Sequence, residues 1–181
     1  MAGLIHLYCG DGKGKTSAAV GLAVRAAGAG KRVIFTQFFK DGSSSEVSSL
    51  KALPGIQTIH AQTVKGFYRS MTPEQRAKAR EDYTALFRQV TAAARDAELL
   101  VLDEMVSACN RGVVPETLVT DFLRNKPSAL EVVLTGRNPS PALTELADYI
   151  TEMRKLRHPY DRGVAARKGV EIGRASCRER V

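Results

Sequence analysis

A glycine-rich stretch near the N-terminus has residue types suited to binding a polyphosphate. Residues 10–17 read GDGKGKTS, directly after a short apolar run and before a helical pattern. Glycines let successive backbone N–H groups curl around phosphate oxygens, and the start of a helix adds a positive field. Lys15 supplies a positive charge, and the hydroxyl of Thr16 is suited to Mg²⁺. The stretch predicts a phosphate-binding loop, or P-loop, whose ATP-binding residues are Gly10, Asp11, Gly12, Lys13, Gly14, Lys15, Thr16 and Ser17.

The spacing of this loop departs from the usual GxxxxGK[ST] pattern. Cys9 stands where that pattern has its first glycine, and Gly10 comes one residue later. A glycine turn that serves only the fold does not require Gly-Lys-Thr at a junction between strand and helix. The stretch is therefore interpreted as a variant P-loop, in which Lys13 is either a second phosphate contact or a solvated side chain.

A pair of carboxylates follows a second apolar run. Residues 99–103 read LLVLD and Glu104 comes next, an arrangement that resembles the Walker B motif. At the carboxyl end of a strand beside a P-loop, one carboxylate can hold Mg²⁺ directly or through water while the other orients it. The alternative is two surface acids at the start of a helix, where acids are favoured. The candidate metal ligands are Thr16, Asp103 and Glu104.

A third candidate follows the fifth apolar run, where the sequence reads Thr135-Gly136-Arg137. Loops at the carboxyl ends of strands bind ligands in open α/β sheets. Arg137 is therefore a candidate for contact with phosphate or substrate. A solvated arginine in a turn fits the same segment.

Short apolar runs alternate with helical patterns along the whole chain. This alternation is typical of parallel strands covered by helices on both faces. Strands are predicted at residues 4–8, 32–38, 56–61, 99–103, 131–135 and 149–153, and helices at about 15–27, 72–94, 115–123 and 140–147. Residues 41–45 and 62–71 are expected to be loops beside the site. With the P-loop, the pattern predicts an α/β fold of the P-loop NTPase (RecA-like) type, in three layers around a mostly parallel central sheet.

Length and composition exclude several classes of protein. The 181 residues suffice for one domain, and 44% hydrophobic with 25% charged residues excludes disordered, collagen-like and coiled-coil chains. No apolar run approaches the roughly 18 residues of a membrane helix, and the first residues lack the features of a signal peptide. We therefore expect a cytoplasmic protein without a membrane partner. Cys9 and Cys109 form no CxxC pair, and the three histidines are scattered, so neither a disulfide nor a zinc site is predicted.

Part of the net positive charge of the chain comes from its C-terminal segment. The net charge of +8 suggests an anionic partner, such as nucleic acid, phosphate or acidic lipid, without choosing among them. Residues 172–181 read IGRASCRERV, which is one translation of a widely used sequencing adapter. We expect a single domain at residues 1–171 followed by a non-native tail at 172–181. Removing the three arginines and one glutamate of that tail lowers the net charge from +8 to +6.

Five segments taken together resemble one enzyme family. They read GDGKGKTSAAVGLAVRAAG, FTQFFK, VLDE, TGRNP and KLRHPYDRGVAARKGVE. Over residues 3–171 the sequence resembles the P-loop corrinoid adenosyltransferases of cobalamin biosynthesis and salvage. The shortened P-loop and the closing HPYDRGVAARKG are the most specific parts of the resemblance, because ordinary P-loop ATPases and kinases do not carry them.

The resemblance implies a reaction and the residues that support it. The 5′-deoxyadenosyl group of ATP would pass to the Co(I) centre of a corrinoid such as cob(I)alamin, forming adenosylcobalamin and releasing triphosphate. Co(I) is a nucleophile with no proton to lose, which accords with a sequence that has no evident general base. The protein need only align C5′ with cobalt and stabilise the triphosphate. The catalytic residues implied are Lys15 and Glu104, with ATP as co-substrate and Mg²⁺ as cofactor.

The resemblance also implies a corrinoid site and two partners. In the family, an aromatic pair before the long helix packs near the corrin and helps to remove the lower axial ligand of cobalt. Phe67 matches the first aromatic residue, Arg69 stands where some members have the second, and Tyr68 is the candidate substitute. With Arg137 these give the predicted corrinoid-binding residues Phe67, Tyr68 and Arg137. A reducing flavoprotein and a homodimer are expected from the family alone.

Two other functions remain open from the sequence. A P-loop kinase or ATPase that transfers the γ-phosphoryl group would use the same loop and the same VLDE segment. A RecA-like nucleic-acid-binding module would account for the basic charge, although the chain has no aromatic-rich basic stripe and no nucleic-acid partner is predicted. The products separate these functions, because a kinase or ATPase releases ADP whereas an adenosyltransferase releases triphosphate.

Overall fold

The protein is described by a computed structural model at residues 2–40, 42–61, 68, 71–167 and 169–170. Within these residues six strands form one sheet: β1 Ile5–Cys9, β2 Val33–Gln37, β3 Ile56–Ile59, β4 Leu99–Asp103, β5 Glu131–Thr135 and β6 Tyr149–Glu152. Their order across the sheet is β3-β2-β4-β5-β1-β6, and every neighbouring pair is parallel. All six predicted strands are therefore present, and their ends agree with the prediction to within two residues.

The helices of the described residues are α1 Lys15–Gly28, α2 Ser45–Lys51, α3 Pro73–Ala93, α4 Met105–Asn110, α5 Glu116–Asn125 and α6 Pro141–Leu146. The long helix α3 starts at a capping box. The Thr72 hydroxyl accepts from the Gln75 backbone N–H, and the Gln75 side chain accepts from the Thr72 N–H. This reciprocal pair satisfies donors that a helix start leaves without partners. A 3-10 turn, Pro159–Arg162, follows β6, and no helix of the described residues has the length and apolarity needed to cross a bilayer.

The patterns missed two short helices beside the site. Helix α2 has seven residues and begins at Ser45, the last residue of a predicted loop, and α4 has only six. Helices of two turns or less show too little periodicity to be recognised in a sequence window. Neither has a side-chain hydrogen bond at its N-cap.

Helices cover both faces of the sheet and give three layers. On one face, small side chains of α1 (Ala19, Ala23 and Ala26) pack with Val33, Phe35, Leu99, Val101 and Val133. On the other, side chains of α3 and α5 (Tyr83, Leu86, Phe87, Val90, Val119 and Leu123) pack with Ile34, Leu100, Leu102, Val132 and Leu134. Strands β2 and β4 are buried along their whole length, as strands between two layers should be.

The topology brings the predicted motifs to one edge of the sheet. Because all strands are parallel, the carboxyl ends of β1, β2, β4 and β5 share that edge. Strand β5 lies between β1, which leads into the glycine loop, and β4, which leads into the carboxylate pair. The two motifs are therefore not on adjacent strands, and Thr135 at the end of β5 lies between them.

Candidate active site

The glycine loop turns from β1 into α1 at this edge. Gly10 and Gly14 have φ angles of 96° and 121°, which residues with a Cβ rarely adopt. Helix α1 starts after Gly14 without a side-chain cap. The backbone N–H groups of a helix start have no partner within the helix. The first turn of α1 can therefore direct these donors at an anion.

The ammonium of Lys15 lies inside the loop. It donates to the carbonyl oxygens of Gly10 and Gly12, both at 2.7 Å. A phosphate oxygen is a stronger partner for an ammonium than a neutral carbonyl, because both partners are then ionised. Lys15 is thus positioned to move its hydrogen bonds to a bound phosphate.

The backbone that follows β6 is hydrogen-bonded to the glycine loop. The Gly12 N–H donates to the Met153 carbonyl at 2.6 Å, and the Lys155 N–H donates to Asp11 Oδ1 at 2.9 Å. The Lys155 hydrogen bond, aided by the charges of Arg137 and Lys155, holds the pKa of Asp11 below its ordinary value. A Cβ on Gly12 would lie 2.6 Å from the Met153 carbonyl oxygen, so this position requires glycine.

Asp103 is fully buried and has four hydrogen-bond donors on its two oxygens. Oδ1 accepts from the hydroxyls of Thr16 at 2.9 Å and Thr135 at 2.7 Å. Oδ2 accepts from Gln37 Nε2 at 3.1 Å and Lys40 Nζ at 3.2 Å. Four donors fill the usual acceptor capacity of a carboxylate. Asp103 therefore orients Thr16 and Lys40 and is poorly placed to bind a metal ion directly.

Glu104 follows in a conformation that non-glycine residues seldom adopt. Its φ is 62°, and such left-handed residues concentrate at functional sites. Its backbone N–H donates to the Thr135 hydroxyl at 2.9 Å, and its Oε2 accepts from the Ser107 hydroxyl at 2.6 Å. Burial, together with the neighbouring Asp103, raises the pKa of Glu104 above its ordinary value. Two adjoining carboxylates in a buried site favour a cation between or beside them.

Lys40 is a site residue that was not predicted. Its Nζ lies 3.2 Å from Asp103 Oδ2 and 3.5 Å from Glu46 Oε1. Burial lowers the pKa of Lys40, but the Asp103 and Glu46 carboxylates outweigh this and leave the pKa above its ordinary value. Glu46 belongs to the missed helix α2. A single lysine after a strand has no spacing that marks it, and its place in the FTQFFK segment was the available signal.

The predicted corrinoid-binding residues have the following places in the structure. Arg137 Nη2 donates to the Asp11 carbonyl at 2.9 Å, so this side chain contacts the glycine loop. Tyr68 packs instead against Phe39, with ring centroids 5.8 Å apart. Lys13 and Ser17 are exposed, and Phe67 and residues 172–181 lie outside the described residues.

Comparison with known proteins decides between the functions left open by the sequence. Residues 1–172 match the family described as ATP:corrinoid adenosyltransferase BtuR/CobO/CobP. The chain belongs to this family. The adenosyltransferase is 33% identical over 171 residues to the corrinoid adenosyltransferase of Pseudomonas aeruginosa, which covers 94% of the chain and 84% of the relative. It is 31% identical over 169 residues to the corrinoid adenosyltransferase of Escherichia coli K12, which covers 93% and 85%.

Family membership confirms the predicted reaction, ATP-dependent adenosyl transfer to a corrinoid. Neither γ-phosphoryl transfer nor nucleic-acid binding is favoured. A solved structure of similar fold is that of ATPases 2 and 3 of Thermomonospora curvata EccC with a signal sequence peptide, with a TM-score of 0.53 and 19% identity. The match covers 87% of the adenosyltransferase and 32% of that chain, and at this identity it shows the fold alone. The predicted P-loop α/β fold is confirmed.

Proposed function

We propose that the adenosyltransferase holds the triphosphate of ATP in the loop of residues 10–17 and Mg²⁺ between Thr16 and Glu104. The observation that carries this assignment is the 2.9 Å hydrogen bond from the Thr16 hydroxyl to Asp103. A hydroxyl that donates its proton to a carboxylate keeps its lone pairs for a cation. Glu104, the other proposed ligand, adjoins Asp103 in the chain and is oriented by Ser107.

The oxygen donors at this place fit Mg²⁺. A hydroxyl and a carboxylate are hard ligands of the kind that Mg²⁺ prefers. The described part of the chain has no group of three or more His, Cys, Asp and Glu side chains that could hold a metal ion. The ion would therefore take its other ligands from phosphate oxygens and water, as Mg²⁺ commonly does. Once bound, Mg²⁺ would neutralise part of the charge on the triphosphate.

The residues of the loop would stabilise the leaving group. When the cobalt–carbon bond forms, the C5′–O bond breaks and its electron pair departs with the triphosphate. The backbone N–H groups at the start of α1 would donate to that charge, and Lys15 would exchange its two carbonyl partners for phosphate oxygens. No side chain needs to accept a proton, because the Co(I) nucleophile carries none. Lys15 and Glu104 are accordingly the proposed catalytic residues.

The corrinoid would lie on the side of the site where Tyr68 is found. Tyr68 packs on Phe39, and the residue after Phe39, Lys40, binds Asp103. The consecutive residues Phe39 and Lys40 thus connect Tyr68 with the carboxylate pair. The contact of Arg137 with the glycine loop supports a place for it near the triphosphate, and the corrinoid contact of Phe67 stays a prediction.

A transfer assay tests the proposal. The protein is incubated without oxygen with ATP, MgCl₂ and chemically reduced cobalamin, and the light-sensitive adenosylcobalamin spectrum and the phosphate product are followed. We expect adenosylcobalamin and triphosphate in equal amounts. Lys15→Ala should abolish both, whereas the exposed Lys31→Ala should leave both unchanged. Formation of ADP without a cobalt–carbon bond would overturn the assignment.

The remaining expectations concern partners and boundaries. A homodimer and a reducing flavoprotein are proposed from family membership, and light scattering and a flavoprotein-coupled assay test them. The use of ATP and a reduced corrinoid supports a cytoplasmic location. We also propose that residues 172–181 are non-native, supported by their identity with a translated adapter. An open reading frame in the source genome that encodes these ten residues would refute this.

A further inference from the structure

The hydroxyl of Thr135 contacts both acids of the site. Thr135 is the last residue of β5 and is fully buried. Its Oγ1 donates to Asp103 Oδ1 at 2.7 Å and accepts from the Glu104 backbone N–H at 2.9 Å. The single hydroxyl proton goes to the carboxylate, because a backbone N–H can only donate. One side chain of β5 therefore binds two consecutive residues at the end of β4.

The hydrogen bond to Glu104 is made where the chain leaves β4 and enters α4. The regular pairing of β4 with β5 ends at Leu102 and Leu134. Two residues later, Glu104 has a φ of 62°. This left-handed conformation is unfavourable for a residue with a Cβ and persists where the surroundings hold it. The Thr135 hydroxyl is a contact to the backbone of Glu104 itself, so it can act directly on that conformation.

The chain that follows Thr135 packs closely against the first turn of α4. A Cβ on Gly136 would lie 2.6 Å from the Val106 Cβ and 3.1 Å from the Ser107 backbone nitrogen. Ser107 in turn donates to Glu104 Oε2 at 2.6 Å. Because β5 and α4 approach each other this closely, the distance between the Thr135 hydroxyl and the Glu104 backbone is well determined. The backbone and the carboxylate of Glu104 thus each have a hydroxyl partner.

We propose that Thr135 is a positioning residue, whose hydroxyl holds Glu104 in the conformation from which its carboxylate binds Mg²⁺. The inference rests on the proposed function, in which Thr16 and Glu104 hold the ion. Thr16 and Thr135 donate to the same oxygen of Asp103, so both proposed ligands are oriented through one carboxylate. Valine in place of Thr135 would keep the branched shape of the side chain but leave the Glu104 N–H without this partner.

The test measures how much Mg²⁺ strengthens ATP binding when no corrinoid is present. Calorimetric titration gives the Kd for ATP in EDTA and in MgCl₂, and we call the ratio of these two values the Mg²⁺ coupling. It is measured for the unmodified enzyme, Thr135→Val, Thr135→Ser, Glu104→Gln and Thr135→Val/Glu104→Gln. Thr36→Val is the matched control. Thr36 is also a fully buried strand residue, but its hydroxyl has no hydrogen-bond partner within the described part of the chain.

We expect Thr135→Val to lower the Mg²⁺ coupling about tenfold, as is typical for a residue that orients a metal ligand. Thr135→Ser keeps the hydroxyl and should retain most of the coupling, and Thr36→Val should leave it unchanged. In the Glu104→Gln background, Thr135→Val should lower the coupling by less than about twofold, because residues that act through one another are not additive.

Two results would overturn the role of Thr135. One is an equal loss of coupling in the valine and serine variants, or fully additive effects of Thr135→Val and Glu104→Gln. The other is a lower melting temperature of Thr135→Val with unchanged coupling, since this would indicate a contribution to stability alone. Unchanged coupling in Glu104→Gln would instead refute the proposed Mg²⁺ site, and the inference with it.

Discussion

The ammonium of Lys40 lies 3.2 Å from Oδ2 of Asp103, and the two side chains are 12% and 0% exposed. Thr16 hydrogen-bonds the other oxygen of the same carboxylate. The buried carboxylate of Asp103 therefore connects the end of β2, the end of β4 and the first turn of α1. The geometry of the proposed Mg²⁺ site depends on this group, although Asp103 has no oxygen to spare for the ion.

Removing the charge of Lys40 should destabilise the protein. Lys40→Met leaves the buried Asp103 without its cation, which costs about 3–5 kcal/mol in comparable buried pairs. Lys78→Met is the control, because it breaks an exposed pair with Asp82 at 2.8 Å and should change stability far less, since solvent screens such pairs. Urea unfolding measures both. Equal stability of the two variants would contradict the role given to Lys40.

The two adjoining acids should respond differently to loss of charge. Asp103→Asn should lower kcat/KM for ATP about 10–100-fold, as is typical for a residue that orients metal ligands, with little change in the Mg²⁺ concentration that gives half-maximal activity. Glu104→Gln should raise that Mg²⁺ concentration, because a proposed ligand loses its charge. Titration of activity with MgCl₂ separates the two effects. The reverse pattern would make Asp103 the direct ligand.

Two glycine-to-alanine changes in neighbouring segments should have opposite effects. A Cβ on Gly12 would meet the backbone of Met153 at 2.6 Å, whereas a Cβ on Gly21 in α1 would meet nothing within 4 Å. Gly12→Ala should therefore weaken ATP binding and lower the melting temperature. Gly21→Ala should raise stability by about 0.5–1 kcal/mol, because alanine is the better helix former. Calorimetry with and without ATP measures both changes, and unimpaired ATP binding by Gly12→Ala would show that the loop can shift.

The described cysteines should be nearly unreactive in the folded protein. Burial, with the nearby Glu116, raises the pKa of Cys109 to about 12, and burial also raises that of Cys9. The third cysteine, Cys177, is replaced by serine so that only these two are measured. Because the thiolate is the reactive form, the Cys177→Ser variant should react with thiol reagents at pH 8 only after denaturation. Rapid labelling of the native variant would contradict this.

The same thiol should make stability depend on pH in alkaline solution. The folded state holds the Cys109 proton more strongly than the unfolded state, whose pKa is near 9. The contribution is therefore complete below about pH 9 and is lost as the pH rises toward 12. Cys109→Ala should remove this part of the alkaline loss in urea titrations at several pH values. An unchanged pH profile would show that Cys109 does not contribute.

The parts of the site that could be predicted are those formed by consecutive residues. The glycine loop, Asp103 and Glu104 each follow an apolar run, and parallel strands bring such positions to one edge whatever their order. The position of β5 between β1 and β4 depends on pairing between strands that are far apart in the sequence, and no local pattern indicates this pairing. Lys40 was missed for a related reason, since its partners Asp103 and Glu46 come from another strand and from a two-turn helix.

The contact between Gly12 and Met153 also bears on how incomplete genes should be interpreted. A fragment that ended after β5 would retain every residue of the glycine motif and both acids, and a motif search would accept it. It would lack β6 and the following backbone to which Gly12 and Asp11 are hydrogen-bonded. Residues 149–155 are therefore a better marker of a working nucleotide site in a truncated sequence than the motif itself.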